Sequence, residues 1–238
     1  MWLHRDPLAS RVDSLSLPQL PQKLSSSKHD KPQRSQSLEE VYSQGFETIC
    51  TSFGRLETLE VNCSTLSDAD GKKLERLKDL RRLHMLECDG FTDVTFTEGI
   101  RHLGLEELSV SLCHGLTGLG ISCIDTSRGP LRELSFDNCR RIGDFDLENL
   151  LRRAIFLRKL KVTYCFSLSD TWVEILQNCC MRLESLAFGF DALKESSLQA
   201  LSTCRATVVL CDLGIDPYEY WEMEAYEREH CVGIAARE

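Results

Sequence analysis

The sequence predicts an α/β solenoid of about six repeats, in which short parallel strands alternate with helical segments. The first observation is self-similarity: the motif L-x-x-L-x-L-x-x-C or a close variant recurs at intervals of 24 to 26 residues, and such a period is typical of repeat architectures. The second is the spacing of apolar residues, which has period two within each motif and helical spacing after it. The chain has 238 residues, of which 42% are hydrophobic, so it is long enough to bury one continuous core.

Charge and composition exclude several functional classes. With 28 Lys and Arg against 37 Asp and Glu, the formal net charge is −9, which is the wrong sign for a protein that binds nucleic acid or an anionic membrane. No apolar run approaches the ~20 residues of a membrane-spanning helix, and the N-terminus lacks the uninterrupted apolar run of a secretion signal. We therefore predict no membrane span and a cytoplasmic location, a nuclear location, or both.

Residues 1–45 are predicted to be a disordered N-terminal segment, because they are rich in Ser, Pro and Gln and poor in large apolar side chains. Two motifs in this segment have alternative interpretations. The stretch from Pro18 to Lys23 has the PxxPxK form of a polyproline-helix ligand, and the stretch from Arg34 to Ser37 has the form of a basophilic kinase site. An ordinary solvated linker is the simpler interpretation of both.

The solenoid is predicted to extend from residue 46 to residue 213. Its first residues, GFETICTSFG, predict an entry helix or half repeat that covers the open end of the core. The second and third apolar residues of each motif alternate with polar residues, as in a short strand with one buried face. Six motifs follow one another, starting at Leu56, Leu80, Leu105, Leu131, Leu157 and Leu183.

One strand per repeat predicts a parallel sheet, and each parallel pair requires a crossover. Four motifs end in a cysteine, and three residues later an apolar residue precedes a small or acidic pair, as in Leu168-Ser169-Asp170. Such a pair is typical of a helix N-cap. The apolar residues that follow, for example Leu147, Leu150 and Leu151, have helical spacing. Each repeat is therefore predicted to close with a convex helix.

Residues 214–238 are predicted to form an acidic C-terminal capping helix or tail. Asp216 is a suitable N-cap, Pro217 suits the first helical position, and Glu219 suits the third. In this interpretation Tyr218 and Trp221 face the last repeat. The alternative is that this acidic, aromatic stretch is a docking peptide.

The twelve cysteines are predicted to be reduced and structural, because their share of the chain is below the ~8–10% of disulfide scaffolds. The repeated cysteines would form a column of small buried side chains along the solenoid. The vicinal pair Cys179-Cys180 leaves a redox role open as an alternative. No pair of CxxC or CxxH motifs supports a zinc site, and GxSxG, Walker A and HExxH motifs are absent from the sequence. We therefore predict no metal, no cofactor and no enzymatic activity.

Four consecutive motifs carry the cysteine and the apolar residue with its small or acidic pair, ending at Cys88, Cys113, Cys139 and Cys165. This pattern resembles the cysteine-containing leucine-rich repeats of F-box/LRR ubiquitin-ligase receptors and of related proteins that antagonise the mitotic exit network. The resemblance covers roughly residues 56–210. It implies a right-handed βα horseshoe and a substrate-recognition or adaptor role in ubiquitin-dependent protein catabolism. Residues 1–45 do not contain the family's F-box pattern, so a ligase-independent scaffold or inhibitor is the alternative.

The candidate partner-binding site is the concave face of the sheet. Leu86 and Leu112 lie in adjacent repeats, as do Tyr164 and Phe190, and aromatic residues are frequent anchors of protein interfaces. Lys159 and Lys161 add positive charge beside Tyr164, which suits an acidic or phosphorylated peptide. The predicted partner is another protein, either a ubiquitin-ligase substrate or a Skp/cullin-type assembly, with the chain as a monomer or as part of a hetero-complex.

Overall fold

The computed structural model describes residues 14–17, 38–189, 195–203, 206–210 and 232–234. Among these residues one sheet contains nine strands in chain order: β1 (Ser14–Leu17), β2 (Thr58–Asn62), β3 (Arg82–Leu86), β4 (Glu107–Ser111), β5 (Glu133–Asp137), β6 (Lys159–Thr163), β7 (Ser185–Phe188), β8 (Thr207–Leu210) and β9 (Val232–Ile234). The seven strands from β2 to β8 are parallel and form the repeats. At the two edges, β1 pairs parallel with β2 and β9 pairs antiparallel with β8.

The register of the sheet follows the repeat motif. The second leucine of each motif pairs with its counterpart in the next strand, so that one buried row crosses the sheet. Its members are Leu59, Leu83, Leu108, Leu134, Leu160 and Leu186. Because side chains alternate along a strand, a slip of one residue would turn this whole row to solvent. The predicted α/β solenoid is confirmed, and β8 adds a seventh parallel strand to the six predicted motifs.

The entry helix α1 (Leu38–Ser52) covers the first repeat. Its apolar residues Phe46, Ile49 and Cys50 are buried in the core, as is Phe53 just after it. The helix starts eight residues before the predicted boundary at residue 46, and β1 also falls within the segment predicted to be disordered. The other residues of that segment, including both alternative motifs, lie outside the described residues.

The convex segments are shorter and more varied than the predicted helices. They comprise α2 (Asp68–Gly71) with a 3-10 turn at Lys72–Arg76, a π-helical turn at Thr95–Ile100, α3 (Gly118–Ser122), α4 (Asp144–Arg153), a 3-10 turn at Thr171–Ile175 leading into α5 (Leu176–Cys179), and α6 (Glu195–Thr203). Adjacent segments pack so closely that a Cβ on Gly99 would collide with the carbonyl oxygen of Gly71. The ten-residue α4 agrees with the helical pattern in its sequence and buries Leu147, Leu150 and Leu151. No described helix has the length and apolar character needed to cross a bilayer.

An Asp–Thr ladder joins successive repeats beneath the convex segments. Asp68 accepts hydrogen bonds from the backbone N–H of Thr92 at 2.8 Å and from its hydroxyl at 2.6 Å. Asp93 accepts the same two bonds from Thr117, also at 2.8 and 2.6 Å. The Thr117 hydroxyl in turn accepts the N–H of Leu119 at 3.2 Å and so caps α3. The hydroxyls thus have the predicted capping role, while the acids connect one repeat to the next.

One junction of the ladder differs in both partners. Gly118 stands where the ladder acid would be, and Gly143 stands where the next hydroxyl would be. The carboxylate of Asp146 occupies the space beside Gly118, where a Cβ would collide with it. It accepts the N–H of Gly143 at 3.3 Å. At the other junctions the carboxylate comes from the preceding repeat. At this junction Asp146 of α4, in the same repeat as Gly143, supplies it.

The repeated cysteines lie in a buried column, as their spacing predicts. The thiol of Cys113 lies 3.4 Å from the carbonyl oxygen of Phe91, and the thiol of Cys165 lies 3.8 Å from that of Phe136. Burial raises the pKa of Cys113. The pKa of Cys139 is also raised, by its hydrogen bond with Cys165 and by burial. The described cysteines are free thiols.

We expect this column to resist alkylation in the native protein. Cys113, Cys139 and Cys165 should react slowly with iodoacetamide, because they are buried and because a raised pKa leaves little thiolate in Cys113 and Cys139. The partly exposed Cys123 and Cys179 serve as internal references and should react first. Peptide-level mass spectrometry of a labelling time course provides the measurement. Labelling of the column as fast as that of Cys123 would contradict the buried arrangement.

Concave face as candidate functional site

The concave face of the sheet presents three rows of outward positions, one residue per strand in each row. The first row begins each strand with Thr58, Arg82, Glu107, Glu133, Lys159 and Ser185. The middle row runs through Glu60, His84, Ser109, Ser135, Lys161 and Ala187. The third row ends the strands, and three of its polar residues, Asn62, Ser111 and Thr163, are buried. Solvent therefore reaches the concave face mainly at the first and middle rows.

A shallow depression of about 280 Å³ spans the middle of this face. Its floor is formed by the small residues Ser109, Ser135 and Ala187 of the middle row. Charged and titratable residues of the strands from β3 to β6 surround the floor: His84, Glu107, Glu133, Lys159 and Lys161. The depression exists because the middle row carries small side chains on β4, β5 and β7, while longer side chains, among them Lys161 of β6, surround them.

Short contacts between titratable side chains cross the strands at the rim of the depression. His84 Nε2 lies 2.8 Å from Glu107 Oε1, and Lys159 Nζ lies 2.8 Å from Glu133 Oε1. The bond to Glu133 raises the pKa of Lys159. Lys161 is exposed, and no carboxylate oxygen of the described residues lies within 4.0 Å of its ammonium nitrogen. Lys159 is neutralised by Glu133, so the positive charge that remains available at the rim of the depression is that of Lys161, while Arg82 carries a second such charge in the first row of β3.

The third row contains a half-buried acid beside Lys161. Burial raises the pKa of Asp137, and the charge of Lys161 and a hydrogen bond from Thr163 offset only part of this rise. The Thr163 hydroxyl donates to Asp137 Oδ1 at 2.8 Å. These contacts hold the end of β5 against the end of β6 and place the Asp137 carboxylate next to the free ammonium group.

Tyr164, one of the two aromatic residues predicted to face a partner, is only 5% exposed. It has a left-handed backbone conformation, as do Glu87, Leu112 and Asn138 at the equivalent position, with φ between 53° and 55°. This conformation is uncommon for residues other than glycine. It turns the chain out of the strand, so the side chain at this position leaves the concave rows. At Tyr164 the ring is buried, and the expectation that it faces a partner is wrong.

The other predicted site residues have different environments. Leu86 and Leu112 are partly exposed in neighbouring repeats. Lys159 and Lys161 lie on the concave face as predicted, with Lys159 in its ion pair. Phe190 lies outside the described residues. Glu107 and Glu133 were not among the site residues predicted from the sequence. The repeat motif places both at the start of consecutive strands, so their position on the concave face could have been predicted.

No protein-family model matches the chain. Solved structures with a similar fold were found. The crystal structure of the Rad7 and Elc1 complex in yeast matches with a TM-score of 0.57 and 23% identity, over 66% of this chain and 43% of that chain. The TLR13–ssRNA13 complex matches with a TM-score of 0.45 and 15% identity, over 70% of this chain and 27% of that chain. The chain thus spans less than half of the Rad7 chain. It has the fold of leucine-rich-repeat proteins.

Proposed function

We propose that this leucine-rich-repeat chain is a protein-interaction module and that it binds a partner protein on its concave face. The observation that carries the proposal is the depression floored by Ser109, Ser135 and Ala187. Small residues there leave room for the side chains of a partner, while long side chains at the rim offer charged groups. Polar rims around a buried centre are typical of protein interfaces.

The charges of the concave face favour a polypeptide segment of mixed character. Glu107, which contacts the imidazole of His84, lines the same depression as Lys161, so groups of both signs on a partner can be accommodated. The free ammonium group of Lys161 can pair with a carboxylate or phosphate group of the partner. Electrostatic matching of this kind acts mostly on specificity and on the association rate.

We further propose that the chain is a substrate-recognition or adaptor subunit related to SCF-type ubiquitin ligases. Support comes from the resemblance of the cysteine-containing motif and from the structural likeness to Rad7, whose crystal structure contains the protein Elc1. The second candidate is a ligase-independent scaffold or inhibitor, favoured by the missing F-box pattern in residues 1–45. Both candidates use the concave face, and they differ in which further proteins assemble with the chain.

The test of the concave site compares tagged chains of all 238 residues. Ser135→Tyr combined with Lys161→Glu fills the depression and reverses its free charge without altering the leucine rows. We expect this variant to lose the partner recovered with the wild type, and its Kd measured by calorimetry on the purified partner to rise by ~30-fold, about 2 kcal/mol. The matched control is Arg152→Ala on the convex helix α4, which should leave binding unchanged.

The outcomes separate the proposals. Full affinity in the concave double variant, with its melting temperature unchanged, would exclude the concave site. A Skp-type adaptor or a cullin that co-purifies with both variants, while a different protein is lost from the concave variant alone, supports the adaptor role. Loss of a partner with no such ligase subunit in any purification favours the scaffold or inhibitor.

A further inference from the structure

A second cavity, of about 440 Å³, lies at the carboxyl ends of three consecutive convex segments. Arg101 follows the π-helical turn Thr95–Ile100, Cys123 follows α3, and Arg153 ends α4. The loop that leads to β5 contributes Asp125 and Arg128. This cavity is separate from the concave depression and shares no lining residue with it.

The cavity is strongly basic, in a chain whose formal net charge is −9. Arg101, Arg128 and Arg153 line it together with His102. Asp125 is the one carboxylate among the described residues of its lining. Even with His102 neutral, the lining therefore carries an excess of two positive charges.

Asp125 neutralises a single arginine. It accepts hydrogen bonds from the N–H of Ser127 at 2.9 Å, from the Ser127 hydroxyl at 2.6 Å and from Arg128 Nε at 3.0 Å. The bonds from Ser127 are the main reason that the pKa of Asp125 lies below its usual value. With its oxygens engaged in this loop, the carboxylate leaves Arg101 and Arg153 uncompensated.

Arg153 is held in position by neutral acceptors. Its Nε donates to the carbonyl oxygen of Asn149 at 3.2 Å, and its Nη1 donates to that of Ile124, also at 3.2 Å. The first bond ties the side chain to α4 and the second ties it to the loop after α3; together they use two of the five N–H donors of the guanidinium group. Neither Arg153 nor Arg101 has a carboxylate within 4.0 Å in the described part of the chain. By contrast, Arg132 and Arg158 each pair with a glutamate, at 3.6 and 3.3 Å.

We propose that this cavity binds a phosphate monoester, with Arg101 and Arg153 as its principal ligands and Arg128 at its rim. Planar guanidinium groups match the geometry of phosphate oxygens and can bind them through two bonds at once. A single phosphate group carries close to two negative charges at neutral pH, which equals the excess charge of the lining. An extended polyanion is a poor match, because the overall negative charge of the chain repels it.

The test is a calorimetric titration of the full chain at low ionic strength with O-phosphoserine, and with serine as the matched probe that lacks the phosphate group. We expect saturable binding of O-phosphoserine and none of serine. Arg101→Gln combined with Arg153→Gln should weaken the binding by about tenfold or more, since each removes a charge-assisted contact. The matched control is Arg152→Gln, which removes an arginine next to Arg153 that pairs instead with Glu148.

The phosphate group has two sources that the same assay distinguishes. A short peptide containing one phosphoserine that binds more tightly than O-phosphoserine identifies a phosphorylated polypeptide as the ligand. Equal or weaker binding of the peptide identifies a small phosphate ester. Absence of saturation with the wild type, or equal affinity in the double variant and in Arg152→Gln, would overturn the proposal. Circular dichroism confirms that the variants remain folded.

Discussion

Leu160→Ala should lower the free energy of unfolding by about 2–5 kcal/mol, the range for removing a buried leucine side chain. Leu160 is 1% exposed. Its strand lies between two others, and it pairs with Leu134 on one side and with Leu186 on the other. Because each repeat buries its core only against its neighbours, a cavity here weakens two interfaces at once. A loss of this size is a large fraction of the stability of an ordinary domain.

Urea unfolding followed by circular dichroism measures this effect. Lys161→Ala is the matched control, because it lies next to Leu160 on the same strand but faces solvent. It should change the free energy of unfolding by no more than about 0.5 kcal/mol. A loss below about 1 kcal/mol in Leu160→Ala would mean that the site collapses around the smaller side chain or that the leucine row is not buried as described.

The second large effect is expected at the first step of the Asp–Thr ladder. Asp68→Ala removes the acceptor of four hydrogen bonds, from the N–H and hydroxyl groups of Thr92 and Thr95, at 2.6–3.2 Å. Hydrogen bonds to a charged group contribute more to the free energy of unfolding than neutral ones. Their loss leaves the N–H and hydroxyl donors without a protein acceptor. Because the site is only partly buried, we expect a loss of about 2–3 kcal/mol at pH 7 rather than the sum of four bonds.

This loss should depend on pH in a defined direction. Burial raises the pKa of Asp68, but the hydrogen bonds from Thr92 and Thr95 outweigh it and hold the pKa below its usual value. The stabilisation from Asp68 is therefore fully present above its unfolded pKa of ~3.9 and is lost as the pH falls through the lower, folded pKa. The difference between wild type and Asp68→Ala should stay constant from pH 7 to about pH 5 and shrink below about pH 4.

Urea midpoints measured across this pH range check the linkage. Asp79→Ala is the control, since Asp79 is an exposed acid in the same repeat, and it should have little effect at any of these pH values. A difference between Asp68→Ala and the wild type that remains unchanged below about pH 4 would show that the effect comes from packing rather than from the charged acceptor.

The sequence by itself determined the fold and the order of its strands. In each motif a leucine and a second apolar residue are two positions apart. In a strand, residues two positions apart point to the same face, so both side chains can be buried together. This pair recurs every 24 to 26 residues. Each repeat can therefore bury its apolar face by stacking against the equivalent face of the next repeat. The rows through Leu59 and Leu160 and the column through Cys113 were predictable for this reason. Lys161 was placed correctly because its position between two inward side chains is a local property.

The tertiary structure decided whatever depends on residues of different repeats. The chain turns through a left-handed residue at Tyr164 as it leaves the strand, and the Tyr164 side chain is buried there, but the repeat motif records neither the backbone angle nor the burial. Gly118 is explained by the carboxylate of Asp146, which lies on the next convex helix. Both cavities are also of this kind. Arg101 and Arg153 are 52 residues apart in the chain and line one basic pocket only because convex segments stack, and no local pattern contains that proximity.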